Sequence, residues 1–79
     1  MSTVILLLLD HEDKAIEDKE IIKPKTYEEL LVQLTRNFEK LPEYFEIFSL
    51  DEKNEEKKIK NEETFNLMED VLFYFCFIF

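Results

Sequence analysis

Val71-Leu72-Phe73-Tyr74-Phe75-Cys76-Phe77-Ile78-Phe79 is an unbroken apolar run, aromatic and β-branched, and such a run favours an extended strand. It is well short of the roughly 20 residues a membrane-crossing helix needs. Val4-Ile5-Leu6-Leu7-Leu8-Leu9 is the other run of this kind. It has no basic lead and is shorter than the about 7 to 15 residues of a secretion-signal core, so it too reads as a strand. A strand with one face under a helix and one in water alternates apolar with polar, and these two do not. They are therefore expected side by side at the centre of a sheet. Val4, Leu6 and Leu8 then oppose Ile5, Leu7 and Leu9, while Val71, Phe73, Phe75, Phe77 and Phe79 oppose Leu72, Tyr74, Cys76 and Ile78. Whichever set lies under a helix, the other makes a contiguous apolar patch, which on a small domain marks a partner site. The alternatives are a different register near Phe77 to Phe79, or self-coverage, with residues 61–70 folding back through Phe65, Leu67 and Met68.

Working outward from these strands, the polar cluster Asp10-His11-Glu12-Asp13-Lys14 is turn-like and leads into residues 15–23. There Ile16, Ile21 and Ile22 stand among charges that suit an edge strand. Pro24 ends it. Thr26-Tyr27-Glu28-Glu29 carries a capping-box signal, Thr26 and Glu29 each able to satisfy an orphan backbone donor of the other. Tyr27, Leu30, Leu31, Leu34, Phe38 and Leu41 follow at steps of three or four, predicting an amphipathic helix over residues 26–41 that Pro42 terminates. One helix cannot bury its stripe alone, so it lies on the sheet. Residues 44–50 form a third strand, and Asp51-Glu52-Lys53-Asn54 a turn in which Asn54 takes left-handed backbone in place of Gly. Residues 55–60 form a short fourth strand, and residues 61–70 a helical turn or packed loop.

Composition narrows the chemistry. The 79 residues suit one domain, 1–79. Asp and Glu number 19 against 10 Lys and Arg, a net charge of −9 that disfavours nucleic acid and anionic membranes. Gly is absent, which removes phosphate loops and dinucleotide fingerprints. A single Cys (Cys76) and a single His (His11) make neither a structural zinc site nor an internal disulfide, so no metal, no cofactor and a reducing intracellular, cytoplasmic setting are expected. Asp51-Glu52-Lys53-Asn54-Glu55-Glu56 looks superficially like a calcium loop but has Lys53 at a ligand position and Glu56 where Gly is wanted. His11 reads as an exposed turn residue, and Tyr27 and Tyr74 as packed rings with a hydroxyl at the rim. Cys76 lies in an apolar run, which raises a thiol's pKa and lowers its reactivity.

The order strand, strand, helix, strand, short strand, long strand resembles the ubiquitin-like β-grasp superfamily over the whole chain. This implies an α+β fold, a mixed sheet of four or five strands packed on one helix. Within it the chain looks most like a PB1 domain, through Thr26-Tyr27-Glu28-Glu29-Leu30-Leu31, Leu41-Pro42 and the Asp51-Glu52 turn. The resemblance implies that Asp51, Glu52, Glu55, Glu62 and Glu63 bind a basic face of another domain. The first strand has no Lys, so the chain would be the acidic half of such a pair. The chain as given ends in Ile78-Phe79 and not in the Gly-Gly of a conjugated modifier.

The expected function is that of a non-enzymatic protein-interaction module or small structural subunit of a larger assembly. It docks through the apolar sheet face, with Leu72, Phe73, Tyr74 and Phe75 as candidates, and is oriented by the acidic hairpin. The expected partner is another protein with a basic patch and an apolar surface. A second copy of this chain is an alternative occupant. Two rival readings are a PB1-type signalling adaptor, told apart by strong salt sensitivity, and a small enzyme using Cys76, told apart by rapid alkylation of the native thiol.

Overall fold

The two apolar runs do pair at the middle of the sheet. The computed structural model describes residues 2–39, 41–67 and 70–78. In chain order the elements are β1 (Thr3–Leu9), β2 (Ala15–Ile22), α1 (Tyr27–Asn37), β3 (Phe45–Asp51), β4 (Glu56–Ile59), α2 (Glu62–Asn66) and β5 (Val71–Ile78). They build an α+β fold with a five-stranded mixed sheet in the order β2-β1-β5-β3-β4. β1 and β5 run parallel at its centre, with Ile5 against Phe73, Leu7 against Phe75 and Leu9 against Phe77; the remaining pairs are antiparallel. The charged β2 and the short, lysine-bearing β4 take the two edges, where their charges discourage pairing with other chains.

Both helices lie on one side. Val4, Leu6 and Leu8 of β1, Tyr74 and Cys76 of β5 and Ile47 of β3 point toward Leu30, Leu34 and Phe38, and Phe65 of α2 joins them. Phe65 stacks on Tyr74 with ring centroids 6.2 Å apart. Among the described residues the segment after β4 does not cover the opposite face: Phe65 goes into the helix-side core and Leu67 is exposed. Met68 lies outside the described residues.

Three details differ from the sequence reading. Helix α1 stops at Asn37 rather than at Leu41. Phe38 is extended (φ −118°, ψ 98°), although its N–H still donates to the Leu34 carbonyl at 3.0 Å. The apolar stripe continues beyond the helix, because Phe38 is buried and Leu41 packs against the core from non-helical chain. The periodicity that suggests a fourth turn therefore records burial and not helix, and Pro42 is not the terminator; Lys40 lies outside the described residues. At the other end Thr26 caps as expected, accepting from the Glu29 N–H at 3.0 Å, but the Glu29 carboxylate accepts from the N–H of Lys25 at 2.8 Å, one residue earlier than a capping box requires. A true reciprocal box opens α2, where Asn61 and Thr64 satisfy each other's backbone donors, so the fold carries a second helix.

The hairpin turns solve the absence of Gly in the same way twice. The Asp10 Oδ1 accepts from the N–H groups of Glu12 (2.8 Å) and Lys14 (3.0 Å). Asp51 does the same with Lys53 (2.8 Å) and Glu55 (2.9 Å). Each turn then needs one left-handed residue, Asp13 (φ 61°) in the first and Asn54 (φ 62°) in the second. Asp and Asn tolerate that region better than other residues with a Cβ. The first hairpin carries a bulge between Leu8 and Leu9, whereas the β3–β4 hairpin keeps its register and the shift between Leu50 and Asp51 lies in the pairing of β3 with β5.

Two substitutions test this frame by urea denaturation. Leu34→Ala is expected to cost about 2 to 5 kcal/mol, because Leu34 is wholly buried. Asp13→Gly is expected to raise stability by up to about 1 kcal/mol by relieving the left-handed backbone; a loss of stability there would refute the assigned turn.

Candidate functional site

Parity along the strands carries a second set of apolar side chains to the face without helices. β1 contributes Ile5 and Leu7, β5 contributes Phe73, Phe75 and Phe77, and β3 contributes Phe48 and Leu50, all half-buried. Leu9, paired with Phe77, is buried yet stands apart from the helix-side core. The rings shelter one another. Phe73 and Phe75 stack at 5.9 Å, Phe75 and Phe77 lie 6.4 Å apart, and Phe77 meets Phe48 edge to face at 5.2 Å. Such pairs contribute about 0.5 to 1.5 kcal/mol each beyond area burial. Because most of each ring is already covered by its neighbours, leaving the face in water forgoes only on the order of 0.5 kcal/mol per side chain, a few kcal/mol altogether. That is small beside the total stability of about 5 to 15 kcal/mol typical of a small domain.

Carboxylates rim this face. Across β1, Glu20 sits opposite Ile5 and Asp18 opposite Leu7. On the other side Glu46 sits opposite Phe77 and Glu56 opposite Leu50. Lys58 is the basic residue of this rim, and its Nζ is 3.1 Å from the Glu46 carboxylate. At the corner where Phe48 meets Phe77, Asp10, His11, Asp13, Glu46 and Glu56 enclose a shallow cavity of about 280 Å³. The Asp10 carboxyl is held below its ordinary value by the N–H groups of Lys14 and Glu12.

The sequence-predicted residues separate into groups. Phe73 and Phe75 belong to the open face. Tyr74 does not: at 2 % exposure it is a core residue on the helix side. Leu72 is 40 % exposed, but the bulge skips it, since Leu50 pairs with Phe73 and Asp51 with Val71; the same shift sends Val71 into the core. Asp51, Glu52 and Glu55 gather at the β3–β4 turn, where Lys53, Lys57 and Asp70 share the depression and Leu67 lines it. Glu62 and Glu63 lie at the opposite end of β4, apart from that turn. The Glu62 carboxylate accepts from the N–H of Tyr27 at 2.7 Å, so it joins α2 to the first turn of α1. Sequence reasoning missed the contributions of Phe48, Leu50 and the β2 carboxylates. No sequence signal marks the first two: a Ser49 between Phe48 and Leu50 suggests the reverse parity, yet Ser49 is buried opposite Tyr74 on the helix side.

Cys76 is fully buried among apolar side chains, and desolvation pushes its thiol up to about 12. A nucleophile needs the thiolate and an approach to it. Burial likewise pushes the Tyr74 hydroxyl up to about 12. Among the described residues no three His, Cys, Asp or Glu side chains converge as a metal site, and no helix is long and apolar enough to cross a membrane. No protein-family model matches the chain, and no curated protein matches it significantly.

The buried acids predict an alkaline limit. Cys76 and Tyr74 have folded-state values raised above their ordinary 9.0 and 10.0, so the stability they supply is complete below about pH 9 and falls as pH climbs toward 12. Thermal midpoints measured between pH 7 and 11 are expected to drop from about pH 9 upward, with a shallower drop in Cys76→Ala. The native thiol is expected to resist iodoacetamide at pH 8 and to react once denatured. Rapid native alkylation would show Cys76 to be accessible.

Proposed function

We propose that this chain is a non-enzymatic protein-interaction module that docks through the open face of its sheet. The observation that carries the reading is the continuous surface of Ile5, Leu7, Phe48, Leu50, Phe73, Phe75 and Phe77, over which no described helix lies. A contiguous apolar patch with a polar rim is the anatomy of a protein-binding surface. Its modest cost in water favours a module that is folded before it binds over a subunit that depends permanently on its assembly. The strand order β2-β1-β5-β3-β4, with a helix after the first hairpin, supports a β-grasp reading of the fold.

A PB1-type acidic adaptor is the second reading, supported by the exposed Glu52 and Glu55 at the β3–β4 turn. Two of its five carboxylates have internal uses: Asp51 closes the turn and Glu62 tethers the helices. The turn is therefore better suited to orienting a partner than to holding it.

A tagged wild-type chain is expected to retain a co-purifying protein that Phe73→Asp and Phe75→Asp lose, while Val32→Asp, on the exposed side of α1, keeps it. Circular dichroism is expected to show all three folded. Equal retention by the three variants would overturn the reading, and unfolding of Phe75→Asp would show that ring to be structural. Under the adaptor reading, Glu52→Lys with Glu55→Lys would instead abolish retention at low salt.

A further inference from the structure

We infer that the occupant of the open face is an amphipathic helix of another protein, apolar along one side and flanked by Lys or Arg. The inference rests on the docking reading above and specifies its partner.

Dimensions point to a helix. The apolar strip covers β1, β5 and β3, which are adjacent strands, so it is two strand spacings across. That is about 10 Å, the girth of a single α-helix at about 10 to 12 Å. Along β5 the strip runs from Phe73 to Phe77, about 13 Å at roughly 3.3 Å per residue, which matches two to three helical turns. A second helix does not fit beside the first without covering the charged edge strands.

Charge selects the helix. One long side of the strip carries Asp18 and Glu20, the other Glu46 and Glu56, with Lys58 already engaged by Glu46. The corner cavity beside the edge-to-face pair Phe48 and Phe77 adds Asp13, next to His11 and to Asp10, whose carboxylate also closes its turn. Carboxylates around an aromatic floor suit the end of a Lys or Arg, which gains from both the charges and the ring. The same rim argues against a second copy of this chain. Two faces brought together would set acidic rims against each other, on chains that each carry a net charge of −9.

The test uses the purified full chain and three designed peptides of equal length: a Leu/Lys amphipathic helix, its Leu/Glu counterpart, and a Ser/Lys peptide with the same charge and no apolar side. In amide NMR titrations the Leu/Lys helix is expected to shift Ile5, Leu7, Phe48 and Phe75, and the other two to leave them unmoved. Replacing Asp18 and Glu20 together by Lys is expected to weaken the Leu/Lys helix at least about tenfold, as is raising the salt from about 0.05 to 0.5 M. Both residues are exposed, so the double variant is expected to keep the wild-type circular dichroism and melting midpoint. If the Leu/Glu helix binds this face as tightly as Leu/Lys, the basic partner is refuted and the docking surface stands. If Ser/Lys binds equally, or the shifts map elsewhere, the helix is refuted. A dimer through this face that excludes the peptide, seen by sedimentation, overturns the inference in favour of self-association. Loss of discrimination between Phe75→Asp and wild type in co-purification refutes the docking reading itself.

Discussion

The parallel pairing of β1 with β5 is the constraint on which the rest of the molecule depends. Both strands are apolar on both sides, so their union creates two greasy surfaces at the middle of one sheet. The helices cover one of them by inserting Leu30, Leu34, Phe38 and Phe65 over Leu6, Tyr74 and Cys76. Over the other no described helix lies. What remains is handled laterally, through the ladder of Phe73, Phe75 and Phe77 and the cross-strand contact of Phe77 with Phe48. The open face is thus a by-product of central pairing.

Polar groups are arranged around that pairing with equal economy. In a chain with no Gly, both hairpins turn by directing an Asp carboxylate at two backbone N–H groups and placing Asp or Asn in the left-handed position. The helix starts are linked: Thr26 and Glu29 serve the first turn of α1, and Glu62 reaches across from α2 to the N–H of Tyr27. A carboxylate that seems free for a partner when read along the chain is in this way committed to holding two helices together. The edge strands carry charges of their own, which discourages chains from pairing edge to edge and sets Asp18, Glu20 and Glu56 beside the open face.

The candidate site was legible where a residue's role follows from alternation. Alternation separates Phe73 and Phe75 from Tyr74, and the helices, by covering Tyr74, decide that the two phenylalanines point outward. Tyr74, next to them in sequence, belongs to the opposite surface for the same reason. Alternation fails at Leu72 and Val71, where a bulge opposite Leu50 and Asp51 shifts the register and reverses the two residues' environments. A bulge is a cross-strand event, a matter of how β5 pairs with β3 some twenty residues away, and neither Leu72 nor Val71 carries a mark of it. The early end of α1 is a similar case, since Phe38 and Leu41 keep helical spacing while following a non-helical path into the core.

From the sequence alone came the element order, the central place of the two apolar strands, the cap at Thr26, the left-handed Asn54 and the expectation that one sheet face would be left uncovered. These follow from local propensity and from a period of two or 3.6, which are properties of consecutive residues. Tertiary structure alone decided which side the helices take, that Phe48 and Leu50 complete the open face, that Asp18, Glu20, Glu46 and Glu56 line its rim, and that Glu62 reaches the Tyr27 N–H. Each of those depends on register between segments distant along the chain, and register is set by how side chains from separate elements pack, which no single segment contains.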